Sequence, residues 1–116
     1  MVIQQGDVFW VTFPPARGSR PAGRRPAMVL QNERFNGSRI ATAVVAAITS
    51  NLRYAALPGN VRLARGEAGV PRPSVVNVTQ IATVDRSDLA EKLGHLSSAR
   101  VREVWDGVQL VLAPDA

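Results

Sequence analysis

Ser74–Val84 (SVVNVTQIATV) is the longest strand candidate in the chain, and its pattern decides the fold class. Strict alternation places four apolar residues and Gln80 on one face of this strand. The other face is more polar and includes Asn77 and Thr79. A strand with one apolar and one largely polar face is typical of the wall of a small barrel or sheet.

Shorter strands are predicted before this segment, because β-branched and aromatic runs there are bounded by glycine, proline and Asn-Gly. They are Asp7–Phe13, Ala27–Gln31, Ala41–Ile48 and Asn60–Ala64. After it, Asp85–Asp88 predicts the start of a short helix that ends at Gly94. The expected fold is mainly β, a strongly bent antiparallel sheet or small barrel.

The C-terminal segment predicts an amphipathic helix of about four turns that covers the sheet, with Ser97 or Ser98 as its N-cap. Its apolar side would carry Val101, Val104, Trp105, Val108 and Leu112. Gly107 weakens such a helix by about 1 kcal/mol relative to alanine. Core packing is expected for Trp105, and also for Trp10 in the first strand.

Length and composition exclude several classes of protein. A chain of 116 residues is expected to form a single domain over residues 1–116. With no cysteine and only His95, disulfides, thiolate chemistry and a histidine-rich metal site are not expected, and neither is a cofactor. No apolar run reaches the roughly 20 residues that span a bilayer, so we expect a cytoplasmic protein without membrane contact.

Positive charge is concentrated in the first part of the chain. The net charge is +5, but residues 1–66 carry nine arginines against two acids, and residues 67–116 have a slight acidic excess. Pro14–Pro26 is predicted to be an irregular loop, and it holds Arg17, Arg20, Arg24 and Arg25. An arginine-rich half indicates a nucleic-acid partner. A solvated surface that only keeps the protein soluble accounts for the composition equally well.

A second polar stretch, Thr49–Arg53, directly follows an apolar strand. Hydroxyl groups at a strand end can donate to a phosphate oxygen, although they more often cap a turn. His95 is expected to be structural rather than catalytic. No phosphate-binding loop, nucleophile elbow or zinc signature is present.

The chain as a whole resembles the MazF/PemK toxin family over residues 5–112. The resemblance is carried by Gly6–Val11 (GDVFWV), Gly23–Leu30 (GRRPAMVL), Ala46–Ser50 (AAITS), Gln80–Asp85 (QIATVD) and Gly94–Ser97 (GHLS). It implies an SH3-like small barrel of the MazF/Kid/CcdB-like plasmid toxin type with a C-terminal helix. It also implies a homodimeric, metal-independent and sequence-selective endoribonuclease that cuts single-stranded RNA and is neutralised by a cognate antitoxin.

The resemblance further implies which residues form the site. The arginine of the family's GxRP motif falls on Arg25 and the threonine of its ITS motif on Thr49, and these form the predicted catalytic pair. Predicted RNA contacts are Arg17, Arg20, Arg24, Ser50, Arg53, Asn77, Thr79 and Gln80. The antitoxin is expected to cover the basic surface with an acidic, partly disordered segment.

The chain departs from some members of the family at two places. Arg20 stands where they carry a glutamate, and Asn77 and Thr79 stand where they carry an Arg-x-Asp pair. The second departure removes a carboxylate that would act as an acid or base, so the general base is not identified. Two other functions stay open: a toxin of the same fold that binds DNA gyrase without cutting, and a plain RNA-binding barrel.

Overall fold

The described part of the chain is a curled antiparallel sheet that is followed by a C-terminal helix. The structure is a computed structural model, and it describes residues 2–15 and 18–115. The strands are β1 (Asp7–Phe13), β2 (Gly23–Val29), β3 (Thr42–Thr49), β4 (Val61–Leu63), β5 (Ser74–Asp85) and β6 (Leu89–His95). The helices are α1 (Glu33–Asn36), which is one turn long, and α2 (Ser98–Leu112). Short 3₁₀ turns cover Leu52–Ala56, Glu67–Gly69 and Arg86–Asp88.

The sheet has six strands in the order β4-β5-β3-β2-β1-β6, and every neighbouring pair is antiparallel. The pairing shifts register between β3 and β5, and again between β1 and β6. Such irregularities bend a strand and increase its twist, which curls the sheet into a half-barrel. The predicted fold class, a small bent sheet with a C-terminal helix, is confirmed.

Apolar side chains are buried on both faces of the sheet. Under α2 lies a cluster that includes Met28, Ile48 and Leu96. A second cluster includes Phe9, Phe13 and Val45.

Helix α2 packs on β4 and β5 through a narrow stripe. Ser97 is its N-cap and accepts a hydrogen bond from the N–H of Arg100 at 3.2 Å. Gly107 is buried, and a Cβ at this position would overlap the carbonyl oxygen of Gly59. The glycine that weakens the helix is therefore the residue that lets the helix approach the turn at Gly59.

The prediction that Trp105 packs in the core is wrong. Its side chain is 54% exposed, and Leu112 at the end of the same predicted stripe is 64% exposed. The stripe that reaches the sheet is centred on Val104 and Val108. Within the described residues, no helix is long and apolar enough to cross a bilayer.

Two predicted elements need correction. β2 begins at Gly23 rather than Ala27, so Arg24 and Arg25 lie on a strand and not in a loop. The predicted helix after Asp85 consists of a single 3₁₀ turn, Arg86–Asp88, and the residues after it form β6. In both cases pairing with β1 outweighs the local signals from proline, glycine and helix caps.

The predicted faces of β5 are also wrong. Ala46 of β3 pairs with Ile81, but Ile48 pairs with Val76, so β5 bulges between these two points. Beyond the bulge, the alternating side chains of β5 therefore lie on the opposite faces of the sheet from those expected for a regular strand. Val76 and Ile81 therefore pack under α2, while Ala82 packs on the opposite side of the sheet.

Candidate active site

Arg25 is held by a part of β2 that is paired on one side only. β1 pairs with the whole of Gly23–Met28, whereas β3 pairs with β2 only from Ala27 onward. Pro26, which has no N–H to donate, is tolerated there because that edge is free. The Nε atom of Arg25 donates to the carbonyl oxygen of Ala22 at 2.9 Å. This bond restrains the guanidinium plane through Nε and does not use its two terminal nitrogens.

Thr49 is the last residue of β3, opposite Val75 of β5. Its Oγ1 atom accepts a hydrogen bond from the backbone N–H of Asn51 at 3.1 Å. Because this bond uses a lone pair of the hydroxyl group, the hydroxyl proton remains available to a ligand. The polar stretch after β3 thus caps a turn, as the commoner interpretation predicts, and still presents a donor.

Arg25 and Thr49 lie together, and two neighbouring cavities meet at this pair. The first, named here the Trp10 cavity, has a volume of about 260 Å³ and is lined by Trp10, Arg24, Arg25, Pro26, Ile48, Thr49, Ser50, Pro71, Arg72 and Ser74. The second, named the Asn77 cavity, has a volume of about 210 Å³ and is lined by Ser19, Arg20, Pro21, Arg25, Ala47, Thr49, Tyr54, Asn77 and Gln80. The pair is the wall that they share.

Both cavities have a positive lining. Arg24 and Arg72 join Arg25 in the Trp10 cavity, and Arg20 joins it in the Asn77 cavity. Among the described residues, no carboxylate lines either space. The Arg24 guanidinium carbon lies 4.3 Å from the centre of the Trp10 ring, and this cation–π contact places a positive charge over the face of the indole ring. A polyanion with flat groups between its charges matches this lining.

Asn77 and Gln80 reach the same cavity because of the bulge in β5. In a regular strand they would point to opposite faces, as the sequence predicts. The Asn77 side chain is buried, and its Oδ1 atom accepts from the hydroxyl and the N–H of Thr79 at 2.7 and 3.1 Å. Thr79 lines neither cavity and acts on the site only through Asn77.

Of the remaining predicted RNA contacts, only some line the two cavities. Ser50 lines the Trp10 cavity. Arg53 lies on the 3₁₀ turn Leu52–Ala56 and lines neither cavity, so the structure does not bring it into the site. Arg17 lies outside the described residues. Arg72 was not predicted as a site residue, and the only signal for it in the sequence is a basic residue between two prolines, Pro71 and Pro73.

Trp10 was expected to pack in the core, and it has a more mixed environment. It is half-buried and forms part of the lining of the cavity that bears its name. One face of its ring is covered by Arg24 rather than by apolar side chains. Trp10 therefore belongs to the site.

His95 lies in an ion cluster around the buried Asp7 rather than in either cavity, and the side chains of His95 and Lys92 are themselves about half-exposed. Asp7 is fully buried, and its Oδ1 atom lies 2.7 Å from Nδ1 of His95 and 3.2 Å from Nζ of Lys92. Its other oxygen accepts from the backbone N–H of Gln4 at 2.9 Å. Burial raises the pKa of the Asp7 carboxyl, but the hydrogen bonds from His95, Gln4 and Lys92 outweigh it, so this pKa lies below its usual value. The cluster joins β1 to β6, which fits a structural role for His95.

Metal-binding residues are not gathered in the described part of the chain. No group of three or more His, Cys, Asp or Glu side chains comes together there. The groups that the site offers to a ligand are guanidinium, hydroxyl, amide and aromatic groups.

The fold and the site define a class of protein: a small curled-sheet domain with two adjoining basic cavities suited to nucleic acid. A family model described as PemK-like, MazF-like toxin of type II toxin-antitoxin system matches residues 4–112. The chain belongs to this toxin family.

Individual relatives agree with this assignment. Endoribonuclease MazF6 of Mycobacterium tuberculosis (strain H37Rv) is 44% identical over 112 residues, which are 97% of this chain and 98% of that protein. Endoribonuclease EndoA of Bacillus subtilis is 37% identical over 114 residues, 97% of each chain. The crystal structure of MazF from Deinococcus radiodurans superposes with a TM-score of 0.80 at 29% identity, covering 98% of this chain and 99% of that one.

Proposed function

We propose that Arg25 and Thr49 carry the endoribonuclease activity of this toxin, and that it cleaves single-stranded RNA without a metal ion. The observation that supports the proposal is their position as the shared wall of two cavities. An RNA strand that fills both cavities has to pass this wall, so the phosphate between two bound nucleotides would lie against it.

The proposed reaction is attack of a ribose 2′-hydroxyl on the adjacent phosphorus. The 2′-hydroxyl loses its proton to water as the new bond joins O2′ to phosphorus, the bond from phosphorus to O5′ breaks, and the leaving O5′ takes up a proton from water. The products are a 2′,3′-cyclic phosphate and a 5′-hydroxyl end. DNA has no 2′-hydroxyl group, so it would not be cleaved.

Arg25 and Thr49 would act on the charge that develops in this reaction. Negative charge collects on the non-bridging phosphate oxygens in the transition state, and a strong donor aimed at such oxygens is worth about 10²–10³ in rate. Arg25 offers two terminal nitrogens in a fixed plane, and Thr49 offers a neutral hydroxyl donor. Among the described residues, neither cavity is lined by a carboxylate or imidazole. The proposal therefore relies on electrostatic stabilisation rather than on a side-chain base.

The natural inhibitor of this site would be an acidic, partly disordered segment of the cognate antitoxin. The same arginines that attract RNA would attract this segment. In this proposal the toxin acts as a homodimer in the cytoplasm. Footprinting of the complex should protect Arg20–Arg25 and Thr49–Arg53. Protection of α2 alone, with RNA still bound, would contradict this part of the proposal.

The decisive experiment is incubation of the protein with a short single-stranded RNA in excess EDTA, followed by analysis of the product ends. The expected ends are a 2′,3′-cyclic phosphate and a 5′-hydroxyl, and a DNA strand of the same sequence should stay intact. The metal-free proposal fails if the chelated protein is inactive and magnesium or manganese restores cleavage.

A further inference from the structure

The Asn77 cavity differs in chemistry from the wall that it shares with its neighbour. Away from Arg25 and Arg20, its lining is neutral and includes Pro21, Ala47 and Tyr54 with the amides of Asn77 and Gln80. A phosphate suits the cationic wall. A flat, uncharged group with a hydrogen-bonding edge suits the neutral part, and a nucleobase is such a group.

Asn77 can present only one kind of hydrogen-bonding group to that space. Its Oδ1 atom accepts three hydrogen bonds, from the Thr79 hydroxyl at 2.7 Å, the Thr79 N–H at 3.1 Å and the Asn60 amide at 3.3 Å. A backbone N–H can only donate, so the orientation of the Asn77 amide is fixed. The N–H groups of Asn77 are what remains for a ligand.

Asn60 maintains this orientation from outside the cavity. Its Oδ1 atom accepts from the N–H of Val78 at 2.9 Å, and its Nδ2 atom donates to the carbonyl oxygen of Tyr54 at 2.9 Å as well as to Asn77. It therefore ties the bulge of β5 to the 3₁₀ turn that carries Tyr54. Asn60 is a positioning residue for the cavity.

We propose that the Asn77 cavity binds one unpaired base of the RNA next to the cleaved phosphate and selects bases that carry a keto oxygen rather than an amino group at C4 of a pyrimidine or C6 of a purine. Uracil and guanine would be accepted there, and cytosine and adenine would be disfavoured. This inference rests on the proposed function and adds a substrate preference to it.

The selection follows from the fixed donor. Uracil O4 and guanine O6 accept a hydrogen bond, whereas the amino groups of cytosine and adenine occupy the same positions and donate. An amino group that faces the Asn77 N–H groups leaves two buried donors opposed, and sites built on hydrogen bonds reject such analogues strongly. Gln80, whose amide has no such fixed partner within residues 2–15 and 18–115, can donate or accept and so can adapt to the rest of the base edge.

The test is single-turnover cleavage, in EDTA, of short RNAs in which each nucleotide near the cut is exchanged in turn. Uracil is compared with cytosine and guanine with adenine, and the ratio of the two rates is the readout. The wild-type protein should prefer the keto base at one position by about tenfold or more. Because both rates come from the same preparation, the ratio does not depend on the folded fraction.

Asn77→Asp replaces the donor by an acceptor of the same shape and should shift the preference at that position towards cytosine or adenine. Asn36→Asp is the matched control, since Asn36 is another buried asparagine and lines neither cavity, and it should leave the ratio unchanged. Thr79→Val is a second variant at an exposed position, and it removes the 2.7 Å hydrogen bond to Asn77. Because the Thr79 N–H and Asn60 still hold the Asn77 amide in this variant, it should keep the preference for the keto base.

The outcomes separate this inference from the proposed function. If the wild-type protein cleaves RNA but shows no keto preference at any position, the inference is wrong and the nuclease assignment stands. The same holds if Asn77→Asp folds and keeps the wild-type ratio, or if Thr79→Val reverses the preference. If the wild-type protein cleaves no RNA at all, the proposed function itself fails.

Discussion

Replacement of Arg25 is the perturbation that tests the site most directly. Arg25→Ala removes the charged donor from the wall between the two cavities, and it leaves the β1–β2 pairing in place because that pairing uses the backbone. Loss of one transition-state donor lowers turnover by about 10²–10³-fold. Single-turnover cleavage of a short RNA should therefore slow by at least that lower figure.

Thr49→Val tests the second donor. A neutral hydrogen bond contributes about 0.5–1.5 kcal/mol, so this variant should lose roughly two- to tenfold in rate. If the two donors act on the same phosphate oxygens, the double variant should lose less than the product of the single losses. Arg25→Lys should recover little of the rate, since a point charge lacks the planar arrangement that the bond to Ala22 fixes.

The control is Arg39→Ala, which removes an exposed arginine that lines neither cavity. It should cleave at the wild-type rate, and thermal melting of every variant shows whether each one is folded. A folded Arg25→Ala protein with near-native cleavage would refute the reasoning. The gyrase-binding or RNA-binding alternative would then describe the protein better.

Three further predictions concern binding and stability. RNA affinity should fall as the salt concentration rises. In a plot of the logarithm of the binding constant against the logarithm of the salt concentration, Arg72→Ala should make the slope shallower by about 0.7, the value of one single-strand phosphate contact. An unchanged slope would place Arg72 outside the interface. The lowered pKa of Asp7 stabilises the folded state fully above the ordinary carboxyl value of 3.8, and this stabilisation is lost as the pH falls through the lower folded pKa. In chemical denaturation, Asp7→Asn should therefore have a lower free energy of unfolding than the wild-type protein at neutral pH, and this difference should narrow below pH 3.8. A difference that does not depend on pH would count against the ion cluster. Gly107→Ala should lower stability by about 1–3 kcal/mol through overlap with Gly59, despite its better helix propensity, and a higher melting temperature would contradict that contact.

The fold class could be predicted from the sequence because its strongest signals are local. β1 has the predicted bounds, since Pro14 closes a β-branched and aromatic run. The start of β2 and the whole of β6 could not be predicted in this way. Pro26 and Gly94 indicate breaks in any local analysis, and only the partner strand β1 makes these segments extended.

The site was predicted less completely, for a related reason. Arg25 and Thr49 came from the resemblance to a toxin family, and their roles remain predictions. Alternation alone places Asn77 and Gln80 on opposite faces, because the bulge that unites them depends on the register of β3. Trp105 follows helical spacing and is still exposed, since only a narrow part of α2 reaches the sheet.

The strand position of Arg25 has a consequence for the entropy of substrate binding. An arginine in a loop samples many rotamers, and ordering such a side chain costs about 1.5–2 kcal/mol. Here the pairing of β2 with β1 fixes the backbone, and the hydrogen bond from Nε to Ala22 restricts the side chain before any ligand arrives. Most of this side-chain entropy is therefore lost when the protein folds, and RNA binding loses little more of it.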